Sequence, residues 1–261
     1  MSINKFFSWV KGLIGLNQQE QVQQQVSPPE GMGWIEADDL ITMDEEGHLI
    51  KVNEDKEVVL VVEEATISKL SEGKTTFMRG YAEPIFLTTQ WMHRDEAETD
   101  PAYRQVIPYV LLRTGKKYWV YDRTTEGGEG RLHGLSSLGW GGHINPEDAV
   151  TPIPDDAVDY IFLTADSCVD RELTEELGLS EPLVPSKQTD LGMIVSYDSP
   201  VDLVHLGLVS IWDVPAPEAL ELKLDPSVGN LRLMTLTQLR AEKQSFESWS
   251  QIVINQLNSK V

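Results

Sequence analysis

The sequence predicts an α+β fold, and three observations predict it. Short aliphatic and β-branched runs recur through the chain, among them Val58 to Val62, Tyr109 to Arg113, Tyr118 to Asp122 and Leu191 to Tyr197. Longer helical periodicities stand apart from them, chiefly over 157–177 and 235–257. The composition, 41% hydrophobic and 24% charged over 261 residues, is that of a globular protein able to bury a sizeable core.

Residues 1–30 read as an appendage. Phe6, Phe7, Val10, Leu13 and Ile14 recur at helical spacing and predict a short amphipathic helix within residues 1–16, followed by a Gln- and Pro-rich linker to Pro29. Lys11 interrupts the apolar part and no small-residue cleavage site follows, so this is not a secretory signal. Docking of the helix on protein, another partner or a second copy in a homodimer, ranks ahead of a membrane surface, because only Lys5 and Lys11 are there to attract anionic lipid. Residues 31–56 are acidic. Within them, Leu40 to Met43 and His48 to Val52 flank Asp44-Glu45-Glu46-Gly47 as a β-hairpin. Residues 57–261 are expected to form the main domain.

Val58 to Val62 is continuous enough for a strand buried on both faces. Glu64 to Ser71 reads as a helix or turn, Pro84 to Leu87 as a weak strand, and Met92 to Gln105 as a polar loop. Residues 107–122 form a hairpin about Thr114 to Lys117. Arg123 to Gly134 follows, a loop of four glycines and two arginines with anion-binding potential, in which Arg123, Arg131 and His133 are candidates to face phosphates or are simply surface charges. It lacks Gly-Lys-Ser/Thr, which excludes a P-loop. Leu191 to Tyr197 and Val201 to Trp212 are strands, with His205 expected as a sheet histidine. Glu218, Glu221 and Asp225 lie in a loop that could add a metal ligand. A strand over 229–234 leads to Thr235, whose capping-box spacing to Gln238 predicts a helix running to about Leu257.

Charge and cysteine usage narrow the function. A net charge of −21 argues against a surface that coats nucleic acid, since counterion release needs clustered Lys and Arg. One cysteine, Cys168, excludes an intramolecular disulfide framework and fits a reducing, cytoplasmic compartment; its expected role is that of a buried small residue.

The chemistry concentrates in Arg171-Glu172-Leu173-Thr174-Glu175-Glu176-Leu177-Gly178-Leu179. On a helix, Glu172, Glu175 and Glu176 share one face within a turn, while Leu173 and Leu177 point into a core and Gly178 ends the helix. Three like charges there read either as a solvated face or as ligands to a hard cation. Upstream, Gly139-Trp140-Gly141-Gly142-His143-Ile144 supplies glycines that let the backbone turn tightly and approach a ligand. The helix between them is expected over 157–177, with Asp155 or Asp156 as its N-cap.

Together these two stretches resemble the box of the Nudix hydrolases, Gly-x5-Glu-x7-Arg-Glu-U-x-Glu-Glu-x-Gly-U with U aliphatic. Arg171 to Leu179 matches letter for letter. The first half departs: the family's glutamate falls on Asp148 counted from Gly142, or on Glu147 counted from Gly141. From Asp148 the gap to Arg171 is residues 149–170, an insertion of about 15 residues beyond the family spacing. More narrowly, Gln105 to Tyr109, Arg131 to Gly134 and Gly141 to Asp148 resemble a bacterial and phage subgroup of predicted phosphoesterases in which Asp at this position is ordinary.

The resemblance implies an α/β/α sandwich with a mixed central sheet. It also implies Mg²⁺ or Mn²⁺ held by Glu172, Glu175, Glu176 and Asp148, with Arg171, Glu172 and Glu175 as catalytic residues. Substrate contacts are expected from Arg123, Arg131, His133, Gly141, Gly142 and His143. The implied activity is that of a pyrophosphohydrolase, with water attacking the diphosphate linkage of a nucleoside diphosphate derivative. The alternative, suggested by the split box, is a catalytically weak or inactive protein of the same shape that binds nucleotides in a regulatory role.

Overall fold

The structure of the chain is a computed structural model, which describes residues 41–43, 49–51, 56–126, 133–150 and 157–258. The expected N-terminal helix and linker, Arg131, and the proposed N-caps Asp155 and Asp156 lie outside the described residues. β1 (Ile41–Met43) and β2 (Leu49–Lys51) pair antiparallel as the expected hairpin and form a sheet of their own.

The elements that follow are β3 (Val58–Glu63), α1 (Glu64–Ser71), β4 (Thr76–Arg79), α2 (Glu83–Phe86), β5 (Gln90–His93), α3 (Arg94–Ala97), β6 (Tyr103–Thr114), β7 (Lys117–Arg123) and β8 (Ser136–Ser137). Then come α4 (Ala157–Leu177), β9 (Lys187–Val195), β10 (His205–Asp213), β11 (Val228–Thr235), α5 (Leu236–Ala241) and α6 (Ser248–Gln256). The main sheet runs β11-β7-β6-β10-β9-β4, with β3 joined to β5 and β6, and β8 to β7. β6 and β10 are parallel and the other pairings antiparallel, so the sheet is mixed.

Strand alternation divides the core between two helical layers. From β6, Val110 and Leu112 join Trp119, Val169, Leu173 and Leu177 on the α4 side. Tyr109 and Leu111 join Trp249, Val253 and Ile254 on the α6 side. The result is the expected α/β/α sandwich. β3 is buried from Val58 to Val62, as its unbroken apolar run requires.

β6 also creates the setting for the site. One edge pairs with β10 along its length; the other pairs with β3 only at Tyr103–Gln105 and with β7 only at Arg113–Thr114. The sheet therefore opens between β3 and β7, and the glycine-rich segment enters the gap. Val110 and Trp140 exchange backbone hydrogen bonds of 2.8 and 2.9 Å, and Leu60 N–H donates to Ile144 O at 3.0 Å. Trp140, 1% exposed, stacks near Tyr121 at 4.3 Å between ring centroids.

Three local expectations are corrected. Pro84 to Phe86 is helical, because Pro84 sits in the first turn and Ile85 and Phe86 insert into the core beside Tyr81 and Phe162. Met92 to Gln105 is not a loop: Met92 and His93 end β5, α3 follows, and Tyr103 starts β6. The C-terminal helix is two helices. Thr235 does form its capping box with Gln238, but α5 ends at Ala241, and the Glu247 carboxylate caps α6 by accepting from Trp249 N and Ser250 N. Glu247 also accepts from Tyr109 Oη and Ser250 Oγ, so the break is fixed by a buried polar network that periodicity does not reveal.

Candidate active site

α4 spans Ala157–Leu177 as the sequence predicts, and its last turns carry the site. Leu173 and Leu177 are fully buried against β6 and Trp119, which turns the opposite, carboxylate-bearing face outward from the core. Cys168, one turn earlier, is buried with its thiol toward His143 O at 3.3 Å. Burial pushes that thiol well above its ordinary pKa, which fits a packing role.

Arg171 joins helix to glycine loop. Its Nε and Nη2 donate to the two oxygens of Asp148 at 2.8 and 2.9 Å, Nη2 donates to His143 O at 3.0 Å, and Nη1 donates to Glu172 Oε1 at 2.8 Å. This planar fork holds the loop on one side and orients a carboxylate on the other. Asp148 also accepts from Asn145 N at 2.9 Å and is 3% exposed. Both its oxygens accept hydrogen bonds, so Asp148 anchors the loop to Arg171. Glu147, the other reading of that position, is solvent-exposed.

Gly142 faces Glu172 so closely that a Cβ there would lie 2.3 Å from Glu172 Oε1. Gly141 is held at φ 142°, where a Cβ would meet Pro108 O at 2.0 Å. The doubled glycine is what lets the loop thread between β6 and the carboxylates.

The three glutamates occupy different environments. Glu175 is the most exposed, its side chain 64% accessible, with Arg171 Nη1 3.9 Å away. Burial raises the Glu172 pKa, against the pull of Arg171. Glu176 is raised to about 8, by burial first and then by Glu172, Asp225 and Glu175, with Arg123 opposing. Its Oε2 is buried without a hydrogen-bond partner, as is Arg123 Nε. A buried carboxylate oxygen lacking a donor, next to Glu172, is one a hard cation would satisfy, although the ligand oxygens of Glu172, Glu175 and Glu176 do not all lie within 4.8 Å of one another.

No protein-family model matches the chain. Protein YmaB of Bacillus subtilis (strain 168) is 32% identical over 166 residues, 63% of this chain and 76% of that protein. The crystal structure of Tm1382, a protein assigned to the Nudix hydrolases, superposes with a TM-score of 0.58 at 27% identity, covering 77% of this chain and all of Tm1382. The chain belongs to the Nudix family.

Within the Nudix frame the structure brings together Arg171, Glu172, Glu175, Glu176, Gly141, Gly142 and, from the end of β7, Arg123. His133 sits at the far side of the loop after β7, where Gly134 N–H donates to Arg123 O at 2.8 Å. His143 gives its carbonyl to Arg171, while its ring packs on His205, 5.6 Å between centroids. Burial, with Arg94 and His205 nearby, takes that ring down to about 3, so at neutral pH it brings no charge to a phosphate. Asp225 N–H donates to Glu176 O at 2.8 Å, which brings the loop anticipated as a source of further ligands up to the glutamates.

Sequence reasoning passed over Asn145. Its Nδ2 donates to Val58 O at 2.8 Å, and it closes a capping box with Asp148 around Pro146. The spacing Asn-x-x-Asp before a turn was the available signal. Arg104, fully buried, was also passed over. It pairs with Glu64 and donates to Ser196 O, Asp202 O and His205 O at 2.9, 3.0 and 3.3 Å. No local pattern announces an arginine whose partners are distant carbonyls.

Proposed function

We propose that the protein is a divalent-metal-dependent pyrophosphohydrolase that cleaves the diphosphate linkage of a nucleoside diphosphate derivative by attack of water. The observation that carries this reading is the buried, unpartnered Glu176 Oε2 next to Glu172, whose own carboxylate lies against Gly142. Glu172, Glu175 and Glu176 would hold Mg²⁺ or Mn²⁺. When bound, such a cation would supply charge neutralisation for a diphosphate.

The chain's own groups divide the remaining work. Arg171 fixes Glu172 and anchors the loop through Asp148 and His143 O. Gly141 and Gly142 let the loop pass close to Pro108 O and the Glu172 carboxylate, which keeps that carboxylate at the loop. Arg123 supplies positive charge next to Glu176 and would meet phosphate oxygens there. Glu175 is the carboxylate left accessible, with only a distant ion pair to Arg171, and suits proton acceptance from the attacking water at its Oε atoms. The insertion in the box leaves this arrangement intact: Arg171 still reaches Asp148, and Glu172 still reaches Gly142. That continuity favours hydrolysis over nucleotide binding alone. The narrower subgroup likeness and a cytoplasmic location belong to the same proposal.

The test is turnover of a panel of nucleoside diphosphate derivatives with Mg²⁺ or Mn²⁺, comparing the native chain with Glu175→Gln plus Glu176→Gln. The reading predicts loss of about a thousandfold or more in kcat/KM, roughly 4 kcal/mol of transition-state stabilisation. Nucleotide binding without turnover on any panel member would replace it with the regulatory alternative.

A further inference from the structure

We propose a second cation site, built from Glu98, His143 and His205 and suited to a borderline transition metal such as Zn²⁺. It shares no ligand with the glutamate site and does not rest on the hydrolytic reading. One ligand atom from each of the three residues lies within 4.8 Å of the other two. Each comes from a different part of the fold: Glu98 from the C-terminal end of α3, His143 from the segment wedged beside β6, and His205 from the start of β10.

The two imidazoles are arranged as ligands rather than as a stacked pair. His205 Nδ1 is 2.7 Å from Val201 O. A carbonyl only accepts, so Nδ1 carries the proton and Nε2 presents its lone pair. Fixing one ring nitrogen on a backbone carbonyl is the outer-shell arrangement that sets the tautomer of metal-binding histidines. That Nε2 faces His143 Nε2 at 3.4 Å. Two nitrogens bonded tetrahedrally to Zn²⁺ at about 2.05 Å stand about 3.3 Å apart, so the rings already have the separation a shared ion needs.

Charge and unmet bonding at the cluster point the same way. Of the cations near His143, Arg171 is held by Asp148 and Glu172, and Arg94 is held by Glu57 at 2.8 Å and reaches Glu98 at 3.5 Å. Gln105 pairs in register with His205 and thus shares its face of the sheet. Gln105 is fully buried, yet neither its Oε1 nor its Nε2 has a hydrogen-bond partner. A buried amide so placed would be satisfied by a ligand beside it, such as a metal-bound water. Two nitrogens and one oxygen select borderline ions over Mg²⁺, and three protein ligands leave a fourth position open.

The experiment titrates Zn²⁺ into the full chain, stripped with chelator and held in excess Mg²⁺, by calorimetry, and records the visible absorption of the Co²⁺-loaded form. One Zn²⁺ per chain and a tetrahedral Co²⁺ band are expected, both retained in the Glu172→Gln, Glu175→Gln, Glu176→Gln triple variant. His205→Gln is expected to weaken Zn²⁺ binding by at least about a hundredfold, and Glu98→Gln, an exposed change, by at least about tenfold. Melting of each metal-free variant is measured alongside, and if His205→Gln does not fold, Glu98→Gln decides. Absence of stoichiometric Zn²⁺ binding, indifference to these variants, or loss of Zn²⁺ with the glutamates would each overturn the proposal. None of these outcomes depends on whether any nucleotide is hydrolysed.

Discussion

Glu176 is the residue under greatest electrostatic tension, and its ionisation gives a signed prediction. Its pKa rises from the ordinary 4.5 to about 8 because burial and three neighbouring carboxylates disfavour the anion. The unfolded chain then releases this proton at lower pH than the folded one. The stability associated with protonated Glu176 is fully present below 4.5 and is lost as pH rises through about 8. Metal-free protein should therefore melt progressively lower across that window, with a shallower slope for Glu176→Gln and with Mg²⁺ restoring the native chain at the alkaline end. Equal slopes for the two proteins would remove Glu176 from the account. The glycines separate two kinds of damage. Gly142→Ala brings a Cβ against the movable carboxylate of Glu172, so activity should fall at least tenfold while stability changes by less than about 1 kcal/mol. Gly141→Ala meets the backbone oxygen of Pro108 at φ 142° and should cost about 2–3 kcal/mol in denaturant unfolding.

Elements were legible where one physical signal dominated over a long enough window. α4 showed itself through its apolar stripe and terminal glycine, and β3 through five consecutive aliphatic residues. α2 and the α5–α6 break were hidden because distant contacts set them: Phe86 against Phe162, and Glu247 against Tyr109. Arg104 belongs to the same class. It ties β6 to the carbonyls at the end of β9 and the start of β10, and its guanidinium lies 4.4 Å from the Tyr197 ring. Arg104→Met would leave Glu64 and three carbonyls short of a donor. We predict a loss of about 3–5 kcal/mol by urea unfolding, with the loss partly spared where Glu64 can reach water.

At the scale of the molecule, the candidate site residues were legible in the sequence but the device that assembles them was not. Nothing in the composition of β6 says that β3 and β7 take opposite ends of one edge, or that Trp140 fills the opening between them. Pairings of this kind join residues far apart in the chain, and local propensity carries no information about them. The burial of Asp148 beside Arg171 was hidden for a related reason: its spacing in the sequence says nothing of the ion pair that anchors it. The whole-chain charge of −21 acts over a longer range, drawing cations in while opposing anionic substrates until a bound metal reverses the local sign. The central claim is that Glu172, Glu175 and Glu176 together hold a divalent cation at the doubled glycine. Electron paramagnetic resonance of Mn²⁺ titrated into the full chain tests it most directly. The account predicts that Glu176→Gln weakens Mn²⁺ binding at least about tenfold while His205→Gln leaves it unchanged. Unchanged Mn²⁺ affinity in Glu176→Gln would contradict it.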